Sequence, residues 1–333
     1  MTDRIGVLGA GAWGTTLAIR LAGAGHPVGL WARDPDTGRR LATQRENSRY
    51  LPGVAFPSNL EVPTADADLA APHRLYVLAV PSAHLRDTLT RLRPHLYPEA
   101  AVLSVIKGIE QGTQLRMSEV IDQELPRRRV AILSGPNLAR EIAAGLPAGT
   151  VIASRDAALA GEMAALFASD RFRVYTNPDV VGVELCGALK NVVALAVGMV
   201  EGLEMGDSAK AGIITRGLAE MTRLGVAAGA QRDTFAGLAG VGDLIATCMS
   251  PLSRNHQAGR LLGTGMPWPE VKGRLTGEAE GVSTLPGALA LAARHGVEMP
   301  IAEQVAAVVR GERRPLEAVV ALMARAPKDE LDS

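Results

Sequence analysis

Residues 5–14, IGVLGAGAWG, decide the fold class of the N-terminal half of the chain. They place an apolar run of strand type, Ile5–Leu8, directly before a G-x-G-x-x-G motif. A segment of helical periodicity, Thr15–Ala22, follows the motif at once. A glycine motif between a strand and a helix is the context that a dinucleotide-binding turn requires. The alternative is a glycine-rich turn that binds nothing.

Each position of the motif has a physical role in that interpretation. Gly9 permits the tight turn, Gly11 lets the backbone approach a pyrophosphate, and Gly14 lets the helix pack closely on the strand. The amides near Ala12 and Trp13 then point at the phosphates from a helix N-terminus.

Alternating strand and helix patterns continue from this motif to about residue 180. Apolar strands separated by helices are typical of a parallel sheet covered on both faces, an α/β arrangement. The segment 46–63 has no clear period and contains three prolines, which predicts a long loop. The predicted strands are Ile5–Leu8, Val28–Trp31, Leu75–Val80, Ala101–Ile106, Val130–Leu133, Thr150–Ala153 and Arg171–Tyr175, and helical segments include Thr15–Ala22, His84–Leu92 and Ala157–Phe167.

The pattern changes after Asn177-Pro178. From Val180 onward only helical runs occur, beginning with Val180–Leu203 and separated by glycine loops at 237–242, 263–269 and 273–281. We therefore expect a Rossmann-like doubly wound sheet over residues 1–178 and an all-helical domain over residues 179–333.

Composition excludes several classes of protein. The 333 residues are 47% hydrophobic and 21% charged, which is globular rather than disordered. Lys and Arg number 35, as do Asp and Glu, so there is no overall basic excess to drive nonspecific nucleic-acid binding. Two cysteines, Cys186 and Cys248, favour a reducing compartment and apolar packing. No signal-type segment precedes Ile5, and the most apolar stretch, Asn191–Val200, is about half a membrane span. The expected location is the cytoplasm, with no membrane insertion.

The end of the second predicted strand bears on the choice of coenzyme. Asp34 lies about where an acid would meet the 2′-hydroxyl of an adenine ribose. Arg33 beside it would suit a 2′-phosphate instead, and Asp34 equally suits the cap of the next helix. The choice between NAD and NADP stays open.

Lys190 is a lysine among small and apolar side chains. Its helical neighbours three and four residues away are Cys186, Gly187, Val193 and Ala194, a face suited to burial. Desolvation lowers the pKa of a lysine, which suits it to exchange a proton near neutral pH. The alternative is a structural lysine that reaches solvent or pairs with a carboxylate such as Glu184.

Residues for an anion occur later in the chain. Arg254 lies in the first turn of a predicted helix, after Ser253 and before Asn255, where a cation opposes the helix dipole unless an anion binds. The alternative is an arginine that is simply solvated. Asp243 suits either a helix cap or contact with a substrate hydroxyl or an ammonium. Lys107 ends a predicted strand, where ligands of open α/β sheets collect.

Negative findings narrow the chemistry further. The histidines show no metal-ligand spacing and there is no C-x-x-C. There is no G-x-S-x-G elbow and no G-x-x-x-x-G-K-[ST] loop. Hydride transfer with an organic coenzyme remains.

Together these segments resemble the bacterial-type NAD(P)-dependent glycerol-3-phosphate dehydrogenases. The matching stretches span most of the chain in order: GAGAWGTTLA, ENSRYLPG, VIKGIE, LSGPNLAREIAAGLP, GVELCGALKNVVALAVGMVEGL, AKAGIITRGLAEMTRLG and GLAGVGDLIATCMSPLSRNHQAGRLLG. The resemblance implies interconversion of dihydroxyacetone phosphate and sn-glycerol 3-phosphate, with NAD or NADP and no metal, supplying glycerophospholipid synthesis.

The resemblance also assigns residues. Lys190 falls on the catalytic lysine, which exchanges the proton of the C2 oxygen. Substrate-contact positions fall on Lys107, Gly135, Asn137, Asp243, Ser253, Arg254 and Asn255. Coenzyme-contact positions fall on Gly9, Gly11, Ala12, Trp13, Arg33, Lys107, Ala139, Arg254 and Glu280.

Three positions depart from the family pattern. Asn137 stands where the family usually has Ser or Thr, Ala12 where it often has Ser or Thr, and His256 where a basic Arg is common. The expected partner is a small phosphorylated substrate and not a nucleic acid; a homodimer is compatible with the sequence, which does not determine the oligomeric state. The alternatives are a related two-domain hydroxy-acid dehydrogenase and a noncatalytic NAD(P) sensor.

Overall fold

The computed structural model describes residues 4–326 and residue 329. Within them the chain forms two compact units. The first unit runs to Ile106 and resumes over Met117–Val180. The second unit combines Lys107–Arg116 with the chain from Val181 onward.

The first unit is built on an eight-stranded sheet in the order β3-β2-β1-β4-β5-β6-β7-β8. The order of its first six strands is that of a doubly wound dinucleotide-binding sheet. Every pairing is parallel except the antiparallel pairing of β6 with β7. The strands are β1 Ile5–Leu8, β2 Val28–Trp31, β3 Leu60–Glu61, β4 Leu75–Leu78, β5 Ala101–Ser104, β6 Val130–Ser134, β7 Ala148–Ala153 and β8 Phe172–Asn177.

Both faces of the central strands are covered. Every residue of β1, β2, β4 and β5 is buried, and successive side chains of a strand point to opposite faces. The continuous apolar runs in the sequence follow from this double burial. The helices of the first unit are α1 Ala12–Gly23, α2 Pro35–Gln44, α3 Leu85–Leu92, α4 Met117–Glu124, α5 Ala139–Ala143 and α6 Ala157–Phe167.

The second unit is helical. Residues 180–326 are all described and contain no strand, as the sequence predicts. The helices are α7 Val180–Gly202, α8 Gly206–Ala227, α9 Arg232–Ala236, α10 Asp243–Met249, α11 Arg254–Gly263, α12 Trp268–Arg274, α13 Glu280–His295, α14 Pro300–Val309 and α15 Pro315–Met323.

Helix α7 is a long and largely apolar helix of the second unit. Its 23 residues are long and apolar enough to cross a membrane, but 94% of its apolar window is buried inside the structure. Burial in a protein core explains the same composition. It lies against α11 at small residues: a Cβ built on Gly198 would lie 2.2 Å from the carbonyl oxygen of His256.

Three expectations about the elements need correction. The sheet is not wholly parallel, because β7 runs antiparallel to β6. The segment 46–63, predicted as loop, contributes the short strand β3 at Leu60–Glu61. The glycine loop 237–242 contains a turn of π-helix, Leu238–Gly242, that leads directly into α10.

Candidate active site

The glycine loop joins β1 to α1 with little space around two of its glycines. Gly9 has φ +122°, and a Cβ on it would lie 2.5 Å from the carbonyl oxygen of Ala79. A Cβ on Gly14 would lie 2.0 Å from the carbonyl oxygen of Gly9. A side chain on Gly9 would collide with the backbone that follows β4, and one on Gly14 would push α1 away from the glycine loop.

Gly11 is different, because a Cβ built on it meets nothing within 4 Å. It is the N-cap of α1 and has no side chain with which to cap the helix. The N–H groups of the first turn, including those of Ala12 and Trp13, have no acceptor within the helix. Open space beside uncapped amides fits the pyrophosphate of a dinucleotide.

Asn47 braces this loop, a contact that no sequence motif indicated. Its buried side-chain amide donates to the carbonyl oxygen of Ala10 at 2.9 Å and to the hydroxyl of Thr15 at 2.8 Å. The only signal was a polar residue inside the aperiodic segment 46–63.

The end of β2 supports one of the two interpretations of Asp34. Its carboxylate accepts from the Thr37 N–H at 3.0 Å, the Thr37 hydroxyl at 2.7 Å and the Asp36 N–H at 3.3 Å. Asp34 is therefore the N-cap of α2. Its neighbour Arg33 is exposed to solvent.

Three further candidates lie in the first unit, after β6. Gly135 is buried with φ +153°, and a Cβ on it would lie 3.0 Å from the Cα of Thr150. The Asn137 side chain accepts from the Thr150 hydroxyl at 2.9 Å and donates to the Gly149 carbonyl oxygen at 3.3 Å. The amide of Asn137 thus ties this turn to β7. Ala139 begins α5 and its carbonyl oxygen accepts from Thr16 of α1 at 3.2 Å.

In the second unit, Lys190 lies at the centre of a buried polar cluster. Its side chain is 7% exposed, and its Nζ donates to the carboxylate of Asp243 and to the hydroxyl of Thr247 at 2.6 Å. The other carboxylate oxygen of Asp243 lies 2.6 Å from the Nζ of Lys107. Two lysines therefore share one buried carboxylate.

Burial changes the acidity of Lys190. Desolvation lowers the pKa of its ammonium to about 8, because the charged form loses its hydration. The negative charge of Asp243 acts in the opposite direction, and the positive charge of Lys107 adds to the lowering. The lysine can therefore both hold and release a proton near neutral pH.

The structure shows which carboxylate pairs with Lys190 and how Asp243 lies in α10. Lys190 is paired with Asp243, not with Glu184, whose carboxylate binds Arg116. Asp243 is not the N-cap of α10, since its backbone is already helical and its side chain faces the two lysines. Thr247 was not predicted, although its place four residues after Asp243 puts both on one face of a helix.

Asn255 links three helices of the second unit. It donates to the side-chain oxygen of Asn191 on α7 at 2.9 Å and accepts from the N–H of Gly281 on α13 at 2.8 Å. Since Asn191 follows Lys190, the amide of Asn255 also fixes the neighbourhood of the lysine.

The start of α11 carries the other predicted anion ligands. Ser253 is the N-cap and accepts from the N–H of His256 at 3.2 Å. Arg254 is exposed in the first turn, where it opposes the helix dipole. Glu280 is half-buried and desolvation raises its pKa, while the charges of Arg254, Lys107 and Lys190 act to lower it.

In the second unit, five charged side chains lie close enough for their charges to affect one another's pKa: Lys107, Lys190, Asp243, Arg254 and Glu280. The glycine loop, Arg33, Gly135, Asn137 and Ala139 belong to the first unit. Among the described residues, no group of three or more His, Cys, Asp or Glu side chains is arranged to hold a metal ion. Such a cluster can transfer a proton at a substrate oxygen and attract an anion.

Comparison with known proteins agrees with this arrangement. Residues 4–160 match the family model "NAD-dependent glycerol-3-phosphate dehydrogenase N-terminus", and residues 179–320 match the model of its C-terminus. The chain is 48% identical to glycerol-3-phosphate dehydrogenase [NAD(P)+] of Streptomyces avermitilis over 97% of each chain. It is 50% identical to that of Thermobifida fusca over 98% of each.

A crystal structure of glycerol-3-phosphate dehydrogenase from Coxiella burnetii has the same fold. It superposes with a TM-score of 0.94 at 36% identity and covers 97% of this chain and 99% of its own. Both family models match this chain. Relatives that share about half of its residues align with nearly its full length, and the solved structure has the same fold. The chain belongs to the NAD-dependent glycerol-3-phosphate dehydrogenase family.

Proposed function

We propose that this chain interconverts dihydroxyacetone phosphate and sn-glycerol 3-phosphate, with NAD(H) or NADP(H) as the coenzyme. The observation that carries the proposal is the buried ammonium of Lys190, held between Asp243 and Thr247 with Lys107 on the same carboxylate. A proton carrier with a pKa of about 8 suits a ketone–alcohol interconversion near neutral pH.

Lys190 is the proposed catalytic residue. In the reducing direction its ammonium donates a proton to the C2 oxygen of the ketone, and in the oxidising direction its neutral amine takes that proton back. When bound, the nicotinamide coenzyme supplies or accepts the hydride at C2. Asp243 and Thr247, both on α10, hold and orient the Nζ.

The phosphate of the substrate is assigned to a set of cationic and polar groups. Arg254 and the N-terminus of α11 favour an anion, which would relieve the unfavourable placement of a cation in that turn. By the family resemblance, Lys107, Gly135, Asn137, Asp243, Ser253 and Asn255 also contact the substrate. The side chain of Asn137 accepts a hydrogen bond from Thr150, which supports a role for Asn137 in shaping the turn around Gly135.

The coenzyme is assigned to the glycine loop. Its open space at Gly11 and the amides of Ala12 and Trp13 support a pyrophosphate there. By resemblance, Gly9, Arg33, Lys107, Ala139, Arg254 and Glu280 complete the contacts. Because Asp34 caps α2, Arg33 is the group at this turn that can meet a 2′-phosphate. This supports the use of NADP(H) alongside NAD(H).

We also propose a division of labour and a cellular role. Residues 1–178 bind the coenzyme and residues 179–333 supply the proton carrier and most substrate contacts. The product serves glycerophospholipid synthesis in the cytoplasm, and the enzyme works without membrane insertion.

Purified protein, coenzyme and a small panel of oxo substrates test the reaction. We expect oxidation of NADH or NADPH with dihydroxyacetone phosphate, and none with the oxo acids derived from hydroxy acids such as 3-hydroxyisobutyrate. A preference for an oxo acid would indicate a hydroxy-acid dehydrogenase. Coenzyme binding without turnover of any substrate would indicate a sensor, and either result contradicts the proposal.

A further inference from the structure

The segment Lys107–Arg116, which we call the strap, carries one of the two lysines of the buried cluster. It follows β5 and precedes α4 in the sequence, yet it belongs to the helical unit. Its first residue, Lys107, lies 2.6 Å from Asp243 with a side chain only 14% exposed. Because Lys107 and Lys190 repel each other, holding both at one carboxylate requires the strap to be fixed in place.

The middle of the strap is attached to α13. The side-chain amide of Gln111 donates to the carbonyl oxygen of Ser283 at 2.9 Å. Ile109 packs closely against Gly287 of α13. A Cβ built on Gly287 would lie 3.0 Å from the Cγ2 of Ile109. These contacts hold the strap against a helix that does not carry Lys190.

The two ends of the strap are held to each other. Ile109 and Arg116 form an antiparallel bridge, and the N–H of Glu110 donates to the carbonyl oxygen of Leu115 at 2.9 Å. A displacement of Arg116 is therefore transmitted to Ile109, two residues from Lys107.

The far end of the strap is attached to the helix that does carry Lys190. The Nη1 of Arg116 lies 2.6 Å from the carboxylate of Glu184, and the two side chains are 11% and 3% exposed. Glu184 precedes Lys190 by six residues on α7, about 9 Å along the helix axis. Buried ion pairs contribute little net stability, and their best-attested use is to fix a register.

We propose that the buried Arg116–Glu184 pair is a positioning device that holds the strap in register with α7 and so keeps Lys107 at Asp243 beside Lys190. This inference rests on the proposed function of Lys190. Arg116 and Glu184 act through Lys107 and touch no reacting atom.

The positioning role predicts a change in the acidity of Lys190. The titratable groups that act on Lys190 are Asp243 and Cys248 of α10, Lys107 of the strap and Glu280 of α13. Burial raises the pKa of the Cys248 thiol to about 12, so that thiol is neutral. A loosened strap removes the positive charge that adds to the lowering of the Lys190 pKa, so that pKa rises.

The test compares pH profiles of kcat/KM for dihydroxyacetone phosphate reduction. The double variant Arg116→Met, Glu184→Leu removes both charges of the pair together, and replacing a buried ion pair by apolar residues often preserves stability. Its kcat should fall between about tenfold and about a hundredfold, as for a misplacement near 1 Å. The alkaline limb of the profile is the fall in kcat/KM as Lys190 loses its proton. This limb should move to higher pH by about half a unit or more, because a neighbouring unit charge shifts a pKa by at least that much.

Two further variants make the result decisive. Arg116→Lys keeps the charge but loses the planar fork, and it should move the limb in the same direction by less; it also gives the answer if the double variant does not fold. The control is Arg86→Met, Glu124→Leu, which removes a 2.7 Å ion pair of the first unit and should leave the limb in place.

Each outcome has one meaning. An alkaline limb that stays at the wild-type pH in both Arg116 variants overturns the inference, whatever happens to their thermal stability. A control that shifts the limb equally overturns it too. If the wild-type protein does not reduce dihydroxyacetone phosphate at all, the proposed function fails instead.

Discussion

At the scale of single residues, the site depends on how a dehydrated ammonium is held. Lys190 loses hydration on burial and gains two oxygen partners, the carboxylate of Asp243 and the hydroxyl of Thr247. The first effect lowers its pKa and hydrogen bonds to the charged form raise it. The balance, about 8, keeps most of the lysine protonated at pH 7, the form that reduction requires.

Thr247→Val tests the hydroxyl partner. Valine keeps the shape but removes the oxygen that accepts from Lys190, so the pKa of Lys190 should fall and the alkaline limb of ketone reduction should move to lower pH. We expect kcat to drop by about tenfold to a hundredfold, the loss of one hydrogen bond to a charged group. Steady-state kinetics across pH measure both, and a wild-type kcat with an unmoved limb would exclude a role for Thr247.

Arg254→Ala tests the phosphate assignment. Loss of a charge-assisted bond should raise the KM for dihydroxyacetone phosphate by about tenfold to a hundredfold. The KM for coenzyme should also rise, because the resemblance gives Arg254 a coenzyme contact. Arg260→Ala, at an exposed position of the same helix, is the control and should leave both constants nearly unchanged. Equal KM values in the two variants would dismiss the assignment.

The sequence predicted part of this cluster and missed the rest for definite reasons. Lys190 was predictable because a lysine surrounded by apolar residues on one helical face is costly to bury without a purpose. Asp243 was a candidate for contact with an ammonium, but its pairing with Lys190 was not predictable, because the two residues are 53 positions apart and only the fold brings them together. Asn47 and Thr247 lie within stretches that resemble the family, but neither had an assigned role, and their roles emerge only from their contacts.

At the scale of elements, the close packing of α7 on α11 fixes where Lys190 lies relative to Arg254. Gly198→Ala should strain this contact, because its Cβ would lie 2.2 Å from the carbonyl oxygen of His256. We expect a loss of about 1–3 kcal/mol in the free energy of unfolding, measured by denaturant titration. The matched control is Gly212→Ala in α8, where a Cβ meets nothing within 4 Å and alanine should be neutral or stabilising by up to about 1 kcal/mol. Equal stability of the two variants would contradict close helix packing.

A buried carboxylate joins α8 to the start of α14. Glu220 accepts from the N–H of Ile301 at 2.7 Å and from that of Ala302 at 3.4 Å. Desolvation raises its pKa from 4.5 to about 7, because burial disfavours the charged form more than the two N–H bonds and Arg223 favour it. The folded state therefore binds this proton more tightly than the unfolded state does.

The sign of the resulting pH dependence follows. The tighter binding of this proton stabilises the folded state. That contribution is complete below about pH 4.5 and is lost as the pH rises through about 7. Glu220→Gln cannot ionise, so its stability relative to the wild type should rise between pH 5 and pH 7, by on the order of 3 kcal/mol at most. Chemical unfolding at several pH values measures this, and a difference that does not vary with pH would contradict the raised pKa.

Sequence patterns predicted elements well where burial is uniform along a strand or follows the period of a helix. The continuous apolar runs of β1 and β2 and the periodic α6 lie at the predicted residues. The direction of β7 was not predictable, because an apolar strand has the same composition whether it runs parallel or antiparallel. The two-residue strand β3 is too short to show a period.

At the scale of the whole molecule, composition and motif order predicted the class of protein. An α/β half followed by a helical half was expected from the change of pattern near residue 178, and the sheet and helices of the structure have that order. The family resemblance is confirmed by both family models and by relatives covering nearly the full chain. The membership of the strap in the helical unit was not predictable, since its contacts with α13 and α7 involve residues far along the chain.

One measurement tests the central claim most directly: turnover of dihydroxyacetone phosphate by Lys190→Met, with coenzyme affinity determined on the same preparation. Removal of the proton carrier should lower kcat by about a hundredfold to ten-thousandfold. The dissociation constant for NADH or NADPH should change little, because the pyrophosphate is assigned to the glycine loop of the other unit and no coenzyme contact is assigned to Lys190. A variant that binds coenzyme normally and turns over within about threefold of the wild-type rate would contradict proton transfer by Lys190.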